Sequence, residues 1–235
     1  MQSVIAFFMF IFTLLSSFFT GKDTTHLIPP WQKPSVTVSE KADVLELYRQ
    51  LGEANKNTVF QGTLSLSESP AFGSSSALVK NLLTKAVNDA LANASASITG
   101  LPGKYKDITA ADLESAKAEY FNSGKTLRIT LIPKAQTDTL TGPGANGSVG
   151  RTIGAQGVPV LQDLLGGLGG ASVLTGGASL AYQNPQVVIV ADAKTLAIVE
   201  ASFGYDMAAT LGGISVAGVT LPSLTFGARY DVTLA

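Results

Sequence analysis

The chain contains no cysteine and one histidine, His26. Without thiols it forms no disulfide, no thiolate nucleophile and no cysteine-ligated zinc centre. Imidazole chemistry rests on a side chain in a proline-rich stretch near the start, a poor place for a general base. Charge is scarce too: 16 Lys and Arg face 17 Asp and Glu, a net charge of −1. Such a balance gives no bulk attraction for nucleic acid. The scarcity deepens toward the C-terminus, where residues 136–235 hold three basic side chains, Arg151, Lys194 and Arg229. That stretch is rich in Gly, Ala, Val and Leu, the composition of buried sheet or of a surface facing something apolar.

What the chain does have begins with a greasy leader. Residues 1–21 carry no charged side chain and include Val4, Ile5, Phe7, Phe8, Phe10, Ile11, Phe12, Leu14, Leu15, Phe18 and Phe19. A helix of that length, at about 1.5 Å per residue, reaches about 30 Å, the thickness of a bilayer core. Two readings stand for this leader helix, a cleaved signal peptide and an uncleaved membrane anchor. No Lys or Arg precedes the apolar run, and Ser16, Ser17, Thr20 and Gly21 make a poor cleavage pattern. Lys22 and Lys33 follow the run, and the positive-inside rule alone would leave the domain in the cytoplasm. Residues 22–38 read as a Pro-rich linker, in which Pro29, Pro30 and Pro34 favour an extended spacer. Trp31 either packs on the domain or lies in the tether, with the lipid headgroups as a further place for it.

Residues 39–235 read as one α+β domain. Val44, Leu47, Tyr48 and Leu51 form an apolar stripe on a helix that Gly52, Asn55 and Asn57 end. Phe60, Gly62, Leu64 and Leu66 alternate with polar residues as a strand. The stretch from Ser69 and Pro70 to Ser76 is expected as a loop. Leu78, Val79, Leu82, Leu83, Ala86, Val87, Ala90 and Leu91 make a second amphipathic helix. Thr109 with Asp112 resembles a capping box and predicts a short helix burying Leu113, Ala116 and Tyr120. Leu127, Ile129 and Leu131 alternate as a strand ending near Pro133. Residues 136–157 hold six glycines and are expected as a flexible Gly-rich loop. Val160, Leu161, Leu164, Leu165 and Leu168 predict another helix.

The C-terminal part is the most regular. Residues 187–191 read as a strand, and a turn follows at 192–195. Ala197, Val199, Ala201, Phe203, Tyr205 and Met207 line one face of the next strand. Ile214, Val216 and Gly218 suggest a separate short strand. Leu224, Phe226, Ala228, Tyr230, Val232 and Leu234 line one face of the last. This predicts a curved antiparallel sheet, a meander with one greasy face, covered by two to four amphipathic helices.

Motifs for chemistry are weak. Gly142, Gly144 and Gly147 match the dinucleotide spacing but sit in the Gly-rich stretch with Pro143 inside, where flexibility explains them. Ser215 between Gly213 and Ala217 has no base beside it and reads as a strand serine. Glu40, Asp43 and Glu46 suit the start of the first helix. Glu200 and Asp206 share the polar face of a strand and read as solvated. Gly166 and Gly170 have a small-residue spacing that lets helices approach; a helix running into a Gly-rich connection explains it. Asn93 and Asn146 begin glycosylation sequons, meaningful only in a eukaryotic secretory host. No catalytic residue, cofactor or metal site is assigned.

The stretch Ala42-Asp-Val-Leu-Glu-Leu-Tyr-Arg-Gln-Leu-Gly-Glu-Ala-Asn-Lys56 resembles the opening helix of a loose group of uncharacterised exported proteins of gut Firmicutes. Residues 108–116 with the strand at 125–132, and the ending from Val187 through Asp192 and Tyr205 to Tyr230 and Leu234, are similar to the same group. The resemblance covers about half the chain and carries no functional residue. It implies export, with the domain secreted or on the extracytoplasmic face of the membrane. The expected function is therefore a non-enzymatic envelope protein, secreted or held at the membrane by residues 1–21. Its interior would hold a lipid or other hydrophobic ligand against Phe203, Tyr205, Met207, Phe226 and Tyr230, an analogy with lipoprotein carriers at the fold level only. The alternative is a cell-surface structural or interaction protein. A hydrolase with carboxylates converging from distant positions is the third reading.

Overall fold

The computed structural model describes residues 28, 32–72, 77–167, 173, 174, 176–216 and 219–235. The leader at 1–21, His26, Trp31 and Gly170 lie outside them, as do residues 73–76 of the expected loop and Ala217 and Gly218.

Strands dominate an α+β fold, and all pair antiparallel in one ten-stranded sheet. They are β1 (Val36–Val38), β2 (Val59–Phe72), β3 (Ala96–Thr99), β4 (Leu113–Phe121), β5 (Thr126–Pro133), β6 (Gln136–Asp138), β7 (Val173–Leu174), β8 (Ala178–Asp192), β9 (Ile198–Val216) and β10 (Val219–Leu234). The order across the sheet is β1-β4-β5-β8-β9-β10-β2-β3. Strand β6 pairs with β8 beyond the end of β5, and β7 pairs with β9 beyond the start of β8. The α-helices among the described residues are α1 (Lys41–Ala54), α2 (Ala77–Asn93), α3 (Ser148–Thr152) and α4 (Gly157–Gly167).

The register puts one continuous apolar face across the sheet. Ala118 opposes Ile129, Ile129 opposes Ile189, and Ile189 opposes Ala201. Further along, Val187 opposes Phe203, Phe203 opposes Val232, and Val232 opposes Gly62. Apart from Gly62, these residues join Val44, Tyr48 and Leu51 of α1, Leu83 and Val87 of α2, and Val160, Leu161 and Leu164 of α4 in one buried cluster. Helix α1 packs on β4, while α2 packs on β2 and α4. Each helix thus buries its apolar stripe on the greasy side of the sheet, which removes both from water at about 25 cal/mol per Å².

Several connections are held by side chains. Asn55, just past α1, donates to the carbonyls of Leu51 (2.8 Å) and Leu196 (2.7 Å) and accepts from the Ile198 N–H (3.2 Å). It ties the helix C-terminus to the β8–β9 turn, where Asp192 Oδ1 accepts from the Lys194 and Thr195 N–H groups. On the other side, Lys41 donates to the Leu113 carbonyl at 2.8 Å and Arg49 to the Ile108 carbonyl at 2.7 Å.

Four expectations need correction. Residues 113–121 form strand β4 and not a helix: Thr109 and Asp112 do make the capping box, but it closes a single 3-10 turn. A register irregularity between Leu113 and Ser115 breaks the alternation that continues through Ala116 and Ala118, so the spacing imitates a helical one. Residues 136–157, expected as a flexible Gly-rich loop, hold β6, a 3-10 turn at Gly144–Asn146 and α3. Strand β2 runs on through Ser69 and Pro70 to Phe72, with Pro70 in the irregular stretch between Glu68 and Ala71 where no partner is registered. The segments at 197–207 and 214–216 are one strand, β9. The end of the linker, Val36–Val38, adds β1 to the edge of β4.

Candidate functional site

The five residues expected to line a ligand space lie on the inner face of β9 and β10. Phe203 and Tyr205 are fully buried, and Met207, Phe226 and Tyr230 are at most 4% exposed. Phe203 meets the Phe60 ring edge-on, with centroids 5.7 Å apart. Tyr205 lies between two other rings, 5.1 Å from Tyr182 and 5.2 Å from Tyr230. Such edge and tilted contacts add about 0.5–1.5 kcal/mol each to the burial of the rings.

The Tyr205 hydroxyl meets the chain between α3 and α4, and the Tyr182 hydroxyl meets the start of α4. Tyr205 accepts from the Gln156 N–H at 2.9 Å and donates to the Gly154 carbonyl at 3.3 Å. Burial pushes its pKa well above the ordinary phenol value, with the Gln156 N–H acting against that. Glycines stand beside the Tyr182 and Tyr230 hydroxyls for a steric reason. A Cβ on Gly157 would lie 2.6 Å from the Tyr182 hydroxyl and 2.9 Å from Met207 Sδ, and one on Gly62 would lie 2.6 Å from the Tyr230 hydroxyl.

Beside Tyr182 sits a buried polar group that the sequence pattern does not reveal. Gln136 donates to Asp138 Oδ1 at 2.8 Å and to the Gly144 carbonyl at 2.9 Å. Its Oε1 accepts from the Val149 (2.8 Å) and Gly150 (3.1 Å) N–H groups at the start of α3. The Gln136 amide thus uses both donors and both lone pairs. Asp138 is fully buried, and its carboxylate and the Tyr182 hydroxyl face each other at the start of α4, without a hydrogen bond of good geometry at Asp138 Oδ2 or the hydroxyl. Burial first, then the nearby Asp138 carboxylate, raises the Tyr182 pKa far above that of a free phenol. Gln136 and Asp138 were hidden because they stand in a glycine-rich stretch whose partners come from elsewhere in the chain. Tyr182 shares the two-residue spacing of Leu180, but the irregularity at 183–186 cuts that pattern short.

The opposite face of the same strands is open to water. A groove of about 290 Å³ crosses β2, β8, β9 and β10, lined by Ser67, Glu68, Gln183, Asp206, Ala208 and Gly227. At its edge Arg229 donates to Asp206 Oδ1 at 3.1 Å and to Asp231 Oδ1 at 3.0 Å. Asn184 donates to Asp206 Oδ2 at 2.8 Å. The Asn184 hydrogen bond and then Arg229 hold the Asp206 carboxyl below its usual pKa. Gly204 lets the Arg229 guanidinium lie flat on the strand, since a Cβ there would come within 2.6 Å of Nη2. The small residues Gly204, Ala208 and Gly227 floor this part of the face, and amides, hydroxyls and carboxylates rim it.

The weaker motifs fall into structural roles. Gly142, Gly144 and Gly147 lead into the 3-10 turn and the five-residue α3. Ser215 pairs with Val173 and Thr220 inside the sheet. Glu40, Asp43 and Glu46 are exposed at the start of α1, and Glu200 is exposed on β9. Among the described residues no group of three or more His, Cys, Asp or Glu side chains is placed to hold a metal, and no helix is long and apolar enough to cross a membrane. No protein-family model, no curated protein and no solved structure matches this chain.

Proposed function

We propose that the chain is a non-enzymatic exported or membrane-anchored envelope protein that works by binding a polar partner on the open face of its sheet. The observation that carries this reading is the division of one sheet into two faces. The inner face is filled by helices and by tyrosines bonded to backbone. The outer face, from β8 through β2, is left to solvent and holds a groove with fixed charges. Rigid strands hold Arg229, Asp206 and Asp231 in place before any partner arrives, which lowers the entropic cost of binding. The apolar leader at 1–21 and the proline spacer support export or membrane attachment, and the resemblance to exported proteins, against the charge rule, favours the outer side. The test is a pull-down from envelope fractions, comparing the wild type with Ala208→Arg, which fills the groove floor. A partner held by the wild type and lost by the variant supports the reading; equal recovery, or nothing specific from either, overturns it.

A second reading keeps a hydrophobic ligand between the helices and a sheet curving around them, against Phe203, Tyr205, Met207, Phe226 and Tyr230. The buried polar pair of Asp138 and Tyr182 favours it, because a ligand's polar head could insert between the carboxylate and the hydroxyl beside α4. Native mass spectrometry after gentle purification tests it. A bound lipid supports the idea, and a bare protein that also shifts no hydrophobic dye speaks against it.

A further inference from the structure

The tether enters at one end of the sheet, and four lysine-bearing segments meet there. Gln32 donates to Asn122 Oδ1 at 2.9 Å, which sets Lys33 beside the β4–β5 turn. The Ala193 N–H donates to the Lys125 carbonyl at 2.9 Å, tying that turn to the β8–β9 turn that carries Lys194. Asn55 donates to the Leu196 carbonyl at 2.7 Å, bringing the Asn55–Asn57 corner and Lys56 alongside. Lys33, Lys56, Lys125 and Lys194 are all exposed, and none makes an ion pair among the described residues. Of the acids at this end, Asp192 is turned onto the Lys194 and Thr195 amides, and Glu53 is paired with Lys106 at 2.6 Å. Glu119 is buried between Lys117 and Arg128, and Glu200 is the remaining acid on these segments among the described residues. The far halves of β8, β9 and β10 carry no Lys or Arg.

Lengths fix which end faces the bilayer. Residues 22–31 separate the leader from Gln32, and at no more than about 3.1 Å per residue ten residues reach at most about 30 Å. Strand β9 alone has 19 residues, about 60 Å at about 3.3 Å each. A chain anchored by its leader therefore holds the lysine end close to the headgroups and the far end away from them.

We propose that this end of the sheet docks on an anionic bilayer surface through Lys33, Lys56, Lys125 and Lys194. The proposal rests on the reading of residues 1–21 as a retained anchor. Unpaired lysines beside a membrane tether are attracted to acidic lipid headgroups, and the attraction fades within a Debye length and with added salt. Docking would fix the open polar face at a steep angle to the membrane, clear of the lipid.

The absence of native cysteine allows a direct test on the full chain. Single probes at Ser123→Cys, in the β4–β5 turn, and Ser179→Cys, at the far end of β8, are read by energy transfer to headgroup-labelled lipid. The vesicles are phosphatidylcholine alone or with phosphatidylglycerol added. The Ser123→Cys probe is expected to gain transfer with phosphatidylglycerol, to lose most of that gain at high salt, and to lose it when the four lysines become glutamine. The Ser179→Cys probe is expected to stay dark in both lipids. A thermal melt of the glutamine variant checks that it folds. Vesicle flotation reads the anchor separately. A chain that fails to float overturns the anchor and the docking with it. A floating chain whose Ser123→Cys signal ignores phosphatidylglycerol or the lysine substitutions overturns the docking alone.

Discussion

Neighbouring residues of β9 live in opposite surroundings. Ala201, Phe203, Tyr205, Met207 and Ala209 are all buried against helices and other strands, while Ser202 and Ala208 between them and Thr210 just beyond are exposed. The same backbone thus serves two purposes. One face supplies the apolar area that holds the domain together. The other is relieved of that duty and can carry charges such as Asp206 and Arg229 at little cost to stability. In such a sheet, stability and recognition can be changed independently, provided substitutions respect the two-residue period.

The contrast can be broken from the inside first. Phe203→Ala removes a fully buried ring and its edge contact with Phe60. It is expected to cost about 3–5 kcal/mol, roughly a 10 °C fall in melting temperature, measured by calorimetry. Next comes the polar interior. Gln136→Ala strands the Val149 and Gly150 N–H groups, the Gly144 carbonyl and one Asp138 oxygen. A loss of about 2–3 kcal/mol is expected, with faster hydrogen exchange across α3.

Acid titration sharpens the picture on the outer face of β4 and β5. Glu119 is buried under Lys117 (2.6 Å) and Arg128 (2.8 Å). Burial alone would raise its pKa, but these two cations bring it below the usual carboxylate range. Asp112, likewise opposed by burial, is held down by the Thr109 N–H and hydroxyl and by Arg151. Depressed carboxylates contribute stability above their unfolded pKa, about 4, and lose it as pH falls through the lower folded value. Urea melts should therefore show stability dropping below about pH 4, with a shallower drop in Glu119→Gln. The smallest effect belongs to the open face: Thr210→Lys should change stability by no more than about 0.5 kcal/mol. A large loss there would mean that this face is covered.

Helical stripes and the two-residue pattern of the last strand were readable because local spacing and burial agree. Val44, Tyr48 and Leu51 in α1, and the alternation from Leu224 to Leu234 in β10, fall where the periodicity puts them. What escaped was set by distant partners. The order of residues 136–157 comes from the Gln136 amide bridging to Gly144, Val149 and Gly150, which no local propensity encodes. The continuity of β9 through Gly212 and Gly213 depends on the close approach of Gly176, whose carbonyl would lie 3.0 Å from a Cβ on Gly212. Glycines that read as a strand end are there a place where two backbones meet. The tyrosine row was half visible: Tyr205 and Tyr230 share a face by spacing, but Tyr182 joins them only through the β8–β9 register.

The division of the sheet is most directly tested by placing single cysteines in this cysteine-free chain at Ala201, Ser202, Ala208 and Ala209 and timing their reaction with a water-soluble thiol reagent. Rapid labelling at 202 and 208, with 201 and 209 protected until the protein unfolds, is the predicted result. Equal labelling at all four positions, or protection of 202 and 208, would contradict the two-faced sheet.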